Sequence, residues 1–369
     1  MQEQKNKILI LGKLPPPYMG PSIAFEILIN SELKNIYNLL HLDVKANESL
    51  STLGKFSIKK IFINFSIYKK LASLLKNEKP DLVLIPISQA TLGFFKDSIF
   101  IIICKLYATR VIIQLRGSDF KRWINSASFF VRLYVKTILS IPKGVIVLGN
   151  NLKHLFENYF DPNEIFVVPN GGNYVVPERD SRYAGPVRII YLANLQPSKG
   201  IEDVVEALRM VHEEIPGSFT MTIIGEWRKP ETKENCLNII NKNSIPVTFY
   251  DSKVSKNKFD YLTKSDIFVF TPREPEGHPW VIVEAMASGL AIISTDQGAI
   301  VESVIDNQNG FIVKTHAPKE IAEKLKLLIT DSKLRNEMGL KSKELYLKNF
   351  TENKMVSNFK SAFDTVIAR

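Results

Sequence analysis

An α/β protein with two parallel-sheet domains in series is predicted by three observations. Short runs are apolar on both faces, helical stretches separate them, and the whole pattern restarts near mid-chain. In the first half the strand-like runs are 7–11, 81–85, 110–115, 144–148 and 165–168, with a helix from about 23 after the turn-rich Lys13-Leu14-Pro15-Pro16-Pro17-Tyr18-Met19-Gly20. After Pro169-Asn170-Gly171-Gly172 and a polar, proline-containing stretch to Pro186, a second series runs 188–192, 220–224, 247–250, 267–270, 291–294 and 310–313. Helices are signalled at 200–214, 279–288 and 318–348. Domains of 1–172 and 173–349 follow, with a helix at about 350–369 expected to pack back on the first. Since ligands bind such sheets at the carboxyl ends of their strands, the expected architecture is two Rossmann-like domains facing each other across a cleft.

Length and composition agree. A chain of 369 residues exceeds one ordinary core, and 45% hydrophobic residues exclude a disordered polymer. Cys104 and Cys236 are the only cysteines and have no metal-ligand spacing, which suits a reducing compartment. No signal-like apolar core follows the polar start, and the longest apolar runs fall well short of the roughly 20 residues a membrane span needs. The expected location is cytoplasmic, with peripheral contact at the inner face of the membrane.

That contact is raised by charge. Residues 1–170 hold 22 Lys and Arg against 12 Asp and Glu, so the whole net charge of +10 lies there. A Lys-rich solvated face is the plainer reading. Between 53 and 75, Phe56, Ile61, Phe62, Phe65, Tyr68, Leu71 and Leu75 recur at helical spacing, interleaved with Lys59, Lys60, Lys69 and Lys70. Such a helix either lies in a membrane interface or packs its stripe on the sheet; both readings stay open. For Phe129, Phe130, Leu133 and Tyr134 core packing is expected. No nucleic-acid signature accompanies the basic half, so no nucleic-acid partner is expected.

The strongest chemical signal is Glu276-Gly277-His278-Pro279-Trp280-Val281-Ile282-Val283-Glu284. Pro279 suits a first helical position, where a missing amide hydrogen leaves nothing unpaired. The amides around it and the positive helix end make an anion site. Glu276 stands at that mouth, able to accept hydrogen bonds from sugar hydroxyls. Glu284 lies roughly 12 Å along the helix, about one nucleoside away, where a ribose diol matches a carboxylate. Asp-x-Asp, a motif that holds a divalent metal, is absent, so no divalent metal or other cofactor is expected. Neither a Gly-x-Gly-x-x-Gly nor a Walker loop occurs, against dinucleotide oxidoreductases and P-loop kinases.

These segments, in order, resemble the family 4 glycosyltransferases of the GT-B architecture over nearly the whole chain. Further matches are Pro17–Ser22, Val168–Gly172, Leu192–Ile201, Ile223–Glu226, Ile293–Gly298 and Asn309–Phe311. The resemblance implies a retaining enzyme that moves a sugar from a UDP- or GDP-linked donor to a glycan or polyprenyl-diphosphate-linked acceptor, as in surface polysaccharide assembly. Lys199 then clamps the diphosphate, Glu276 orients the sugar and Glu284 holds the ribose. Gly20, Gly277, His278 and Pro279 line the donor, and Gly225, Glu226 and the Tyr250-Asp251-Ser252 turn read the base. Many relatives carry arginine where this chain has Asn194; Arg273 or Arg188 compensates, or Lys199 and the helix end suffice. Arg116 stands where a histidine is often found; it is a poor base, so Asp119 is the nearer group to the acceptor hydroxyl. A salt-bridged loop brace is the other reading of Arg116 and Asp119. Rival functions are a nucleotide-sugar epimerase of the same architecture, distinguished by epimerising donor alone, and a non-catalytic sugar-nucleotide-binding subunit.

Overall fold

The structure, a computed structural model, describes residues 5–16, 18–44, 58–178, 183–251 and 257–369. Pro17, the predicted helix start with Phe56, the linker residues 179–182 and Ser252 lie outside the described residues. The chain divides into two compact units, 1–170 with 352–369, and 171–351.

The first unit runs β1 (Lys7–Gly12), α1 (Gly20–Asn30), α2 (Leu33–Ile36), β2 (Asn38–Asp43), α3 (Ile58–Glu78), β3 (Leu82–Ile87), α4 (Thr91–Leu106), β4 (Arg110–Leu115), α5 (Phe120–Ser126), α6 (Phe129–Leu139), β5 (Val145–Val147) and β6 (Ile165–Val167). Among the described residues its strands form a six-stranded sheet in the order β2-β1-β3-β4-β5-β6, and every pairing is parallel. Ile8, Leu9, Ile10 and Leu11 are wholly buried, as a strand covered on both faces requires. β2 was not predicted. Its sequence Asn-Leu-Leu-His-Leu-Asp buries only Leu42, and it exists because it pairs in register with β1 from Lys7↔Asn38 to Gly12↔Asp43.

Two helices bear on readings made from sequence: α3 on one that was left open, α6 on one that placed residues in the core. α3 turns Ile67, Leu71 and Leu75 inward, so that stripe packs on the protein, while Phe65 stays outside with Lys69 Nζ 4.7 Å from its ring centre. α6 overturns the core assignment of Phe129, Phe130 and Leu133, which are 65%, 80% and 53% exposed. The Ser128 hydroxyl accepts from the Val131 amide and fixes where the helix starts; in that register Val135, Ile138 and Leu139 face the core instead. Tyr134 does pack, against Phe95 and onto Ser98 Oγ at 2.7 Å.

The second unit runs β7 (Val187–Leu192), α7 (Ile201–Glu214), β8 (Phe219–Ile224), α8 (Pro230–Lys242), β9 (Val247–Tyr250), α9 (Lys258–Leu262), β10 (Ile267–Phe270), α10 (Trp280–Ala287), β11 (Ala291–Thr295), α11 (Ile300–Ser303), β12 (Gly310–Val313), α12 (Pro318–Thr330) and α13 (Ser332–Asn349). Its described strands form a parallel six-stranded sheet, β12-β11-β10-β7-β8-β9. The predicted helix 318–348 is two helices, because the Asp331 carboxylate accepts from the Leu334 amide and caps a new start. α14 (Glu352–Ile367) returns to the first unit, burying Phe359, Phe363 and Val366 and joining Tyr37 to Asp364 by a side-chain hydrogen bond.

Candidate functional site

In the second sheet the strand order reverses between β7 and β10, so the loops leaving their carboxyl ends flank a topological switch point, the usual ligand position of such a sheet. The loop after β7 carries Asn194 and ends in a 3₁₀ turn, Pro197–Lys199; the loop after β10 carries Glu276. The structure brings the two together: Lys199 Nζ is hydrogen-bonded and ion-paired to Glu276 Oε1, with side chains 25% and 15% exposed.

The backbone around this pair is over-determined. Gly200 starts α7 at φ +77°, and a Cβ there would meet the Thr271 carbonyl oxygen at 1.8 Å. Gly298, at φ +60°, lets the loop after β11 close on Glu276, whose carbonyl oxygen a Cβ would meet at 1.8 Å. The next amide, Ala299, donates to the Gly277 carbonyl at 2.8 Å. Tyr191, at the buried end of β7, donates its hydroxyl to the Lys199 carbonyl at 2.8 Å. Burial, reinforced by Glu276, drives that phenol well above its ordinary pKa, so it remains a donor. Tyr191 was not singled out from sequence, because a tyrosine within an apolar strand reads as core. Tyr191→Phe is expected to destabilise the protein by about 1–2 kcal/mol, since the Lys199 carbonyl loses its donor. Denaturant unfolding checks this; unchanged stability would show that hydrogen bond to be dispensable.

Glu284 is 3% exposed in α10, a helix whose Ile282, Val283, Ala285 and Met286 are wholly buried. Its Oε1 accepts from Lys258 Nζ at 2.7 Å, and its Oε2 has no hydrogen-bond partner among the described residues. A buried carboxylate with one oxygen unused is a costly arrangement that a ligand hydroxyl would relieve. Pro279 is the N-cap of α10 and not its first helical residue, because its ψ of 128° is extended and helical geometry begins at Trp280. His278 is buried; its Nε2 lies 2.6 Å from Ser303 Oγ and its ring packs on Phe350. The Nε2 of His278 is therefore engaged within the protein.

Neither arginine proposed to replace the missing charge at Asn194 is available. Arg273 is bound to Asp203 and Glu202 at 2.7 Å, which raises its pKa further, and Arg188 is bound to Asp266 at 3.2 Å. The cation beside Asn194 is Arg228, whose Nη2 donates to Asn194 Oδ1 at 3.2 Å and pairs with Glu226 at 3.2 Å. Nothing in the sequence marks Arg228. It arrives because the loops after β7 and β8 zip together, Leu195 N to Glu226 O at 2.9 Å and Arg228 N to Leu195 O at 3.1 Å. The Gly225 amide donates to the Tyr250 carbonyl at 3.0 Å, and Tyr250 packs on Tyr261.

In the first unit Gly20 opens α1 behind β1, and Arg116 and Asp119 follow β4. Arg116 and Asp119 do not brace each other: Arg116 Nη2 donates to Asn170 Oδ1, while Asp119 binds Arg122 and its amide donates to Gln89 Oε1 at 2.9 Å. Burial pushes the Arg116 guanidinium down to about 10, which still leaves it charged at neutral pH.

Residues 177–364, just over half of the chain, match the family described as glycosyl transferases group 1. A glycosyltransferase of Methanocaldococcus jannaschii, MJ1069, is 24% identical over 68% of this chain and 65% of its own, so the chain spans just under two thirds of that relative. The capsular polysaccharide biosynthesis glycosyltransferase CapM of Staphylococcus aureus is 22% identical over 69% of this chain and 70% of its own. The solved structure of Anabaena HepE in complex with UDP-glucose superposes with a TM-score of 0.71 at 14% identity, covering 97% of this chain and 99% of its own. Two parallel six-stranded sheets in this order are the GT-B fold, and the chain belongs to the group 1 glycosyl transferases.

Proposed function

We propose that the chain is a retaining glycosyltransferase that moves a hexosyl or N-acetylhexosaminyl group from a nucleotide-diphosphate sugar to a glycan or polyprenyl-diphosphate-linked acceptor in surface polysaccharide synthesis. The observation that carries this is the Lys199–Glu276 pair at the switch point, with Glu284 buried on the helix that follows. Lys199 meets the diphosphate as a point charge, Arg228 supplies the charge Asn194 lacks, and the N-terminal end of α10 adds the positive end of its dipole. Glu276 accepts from the sugar hydroxyls. The unused Glu284 oxygen takes a ribose hydroxyl.

In the proposed reaction the bond between the anomeric carbon and the phosphate oxygen breaks as the acceptor oxygen bonds to that carbon from the same face. The acceptor proton passes to the departing phosphate. Catalysis is then positioning and charge stabilisation, with Arg116 and Asp119 contacting the acceptor. HepE was solved with UDP-glucose, which makes UDP the first nucleotide to test here.

Thermal-shift screening of UDP, GDP, ADP, TDP and CMP tests the donor half. UDP or GDP should raise Tm once ligand greatly exceeds its Kd, and Glu284→Gln should abolish most of the shift. No shift with any nucleotide overturns the assignment. Turnover is expected to survive EDTA; its loss would mean that a cation bridges the diphosphate.

A further inference from the structure

The outward faces of α4 and α6 combine exposed apolar side chains with basic ones on the surface of a unit that holds the entire excess positive charge. Leu92 of α4 is 81% exposed, and Phe129, Phe130 and Leu133 stand out from α6. Single exposed hydrophobes are ordinary, but these share one surface: the Phe95 and Tyr134 rings, 4.8 Å apart, join α4 to α6. On α6 the same outward arc carries Arg132 and Lys136, both exposed. Asp97 is the only acidic residue in α4, α5 and α6, and it is turned inward, 5% exposed and bound to Ser88.

We propose that this surface docks on an anionic lipid bilayer, Phe129, Phe130 and Leu133 entering the headgroup boundary while Arg132 and Lys136 meet lipid phosphates. As the place where a lipid-linked acceptor is met, it rests on the function proposed above and deepens it. Position supports that role. The Trp123 indole donates to Thr91 Oγ1 at 3.0 Å, and Gln89 holds the Asp119 amide, so the surface begins beside the Arg116–Asp119 loop. An acceptor anchored by a hydrocarbon tail presents its sugar next to that loop when the bilayer covers α6. A second copy of the chain fits less well, because a two-fold contact would set two basic faces against each other without an acid to answer them.

Flotation of the full chain with vesicles of phosphatidylcholine, alone or with about one third phosphatidylglycerol, tests the surface. The protein should float with the phosphatidylglycerol vesicles and far less with phosphatidylcholine alone. Phe129→Ser/Phe130→Ser/Leu133→Ser should weaken partition by about tenfold or more, with thermal unfolding by circular dichroism little changed because these side chains are mostly exposed and the two phenylalanine rings pack chiefly on each other. Arg132→Glu/Lys136→Glu should remove the preference for phosphatidylglycerol. Absence of wild-type binding, equal binding by the triple serine variant, or a dimer that this variant splits would each overturn the proposal. Flotation uses neither donor nor acceptor, so it can fail while nucleotide-induced stabilisation persists, and the reverse.

Discussion

Glu276→Ala is expected to lower kcat by about 10²–10³-fold at saturating donor while leaving the protein folded. The side chain sits half-buried where the loop after β10 meets α10, and its partner is the lysine proposed to hold the departing diphosphate. Its removal takes away an acceptor for sugar hydroxyls and releases Lys199 from a fixed position. Folding should survive because the backbone there is held independently, by the close approach of Gly298 and by the Ala299 amide on Gly277. Steady-state kinetics beside a thermal melt separate the two effects. Wild-type turnover in a folded variant would remove Glu276 from the reaction.

Lys199→Ala should lower kcat/KM by about 100-fold or more, and Lys199→Arg should restore only part of it, since a planar fork does not reproduce a compact ammonium. Two lines of structure set that size. All four basic groups pair with carboxylates, but Arg273 and Arg188 are only 15% and 16% exposed, each held by two hydrogen bonds or more, whereas Lys199 and Arg228 are 25% and 32% exposed and better able to meet a diphosphate. The Gly200 turn and the Tyr191 hydroxyl hold the lysine's own backbone. The double variant Lys199→Ala/Glu276→Ala should cost less than the product of the single losses, because each single change leaves an unpaired charge behind. A multiplicative result would show that the two residues act independently.

What the sequence revealed and what it hid divide along a physical line. Apolar runs buried on both faces, such as 8–11 and 267–270, are legible because burial dictates their composition. β2 was hidden because an edge strand needs only one good neighbour, and its polar ends say nothing of β1. The paired glutamates and Lys199 were legible as a motif. Their partners were not: Arg228, Lys258 and Tyr191 reach the site through loop zippering and strand register, which no local spacing encodes. Phe129 and Phe130 were misassigned for a similar reason, since an amphipathic helix states how much it is apolar but not which arc faces inward.

Helix α14 has a temporal meaning for synthesis. Residues 171–351 form a contiguous unit and can complete their fold once translated, but the unit that contains residues 1–170 needs Phe359, Phe363 and Val366, which are made only after that contiguous unit. Until then the β3 and β4 side that α14 covers stays bare. A nascent chain stalled before α14 therefore holds a finished later unit and an unfinished earlier one, and carries its greatest hazard of sticking to other chains until that helix is made.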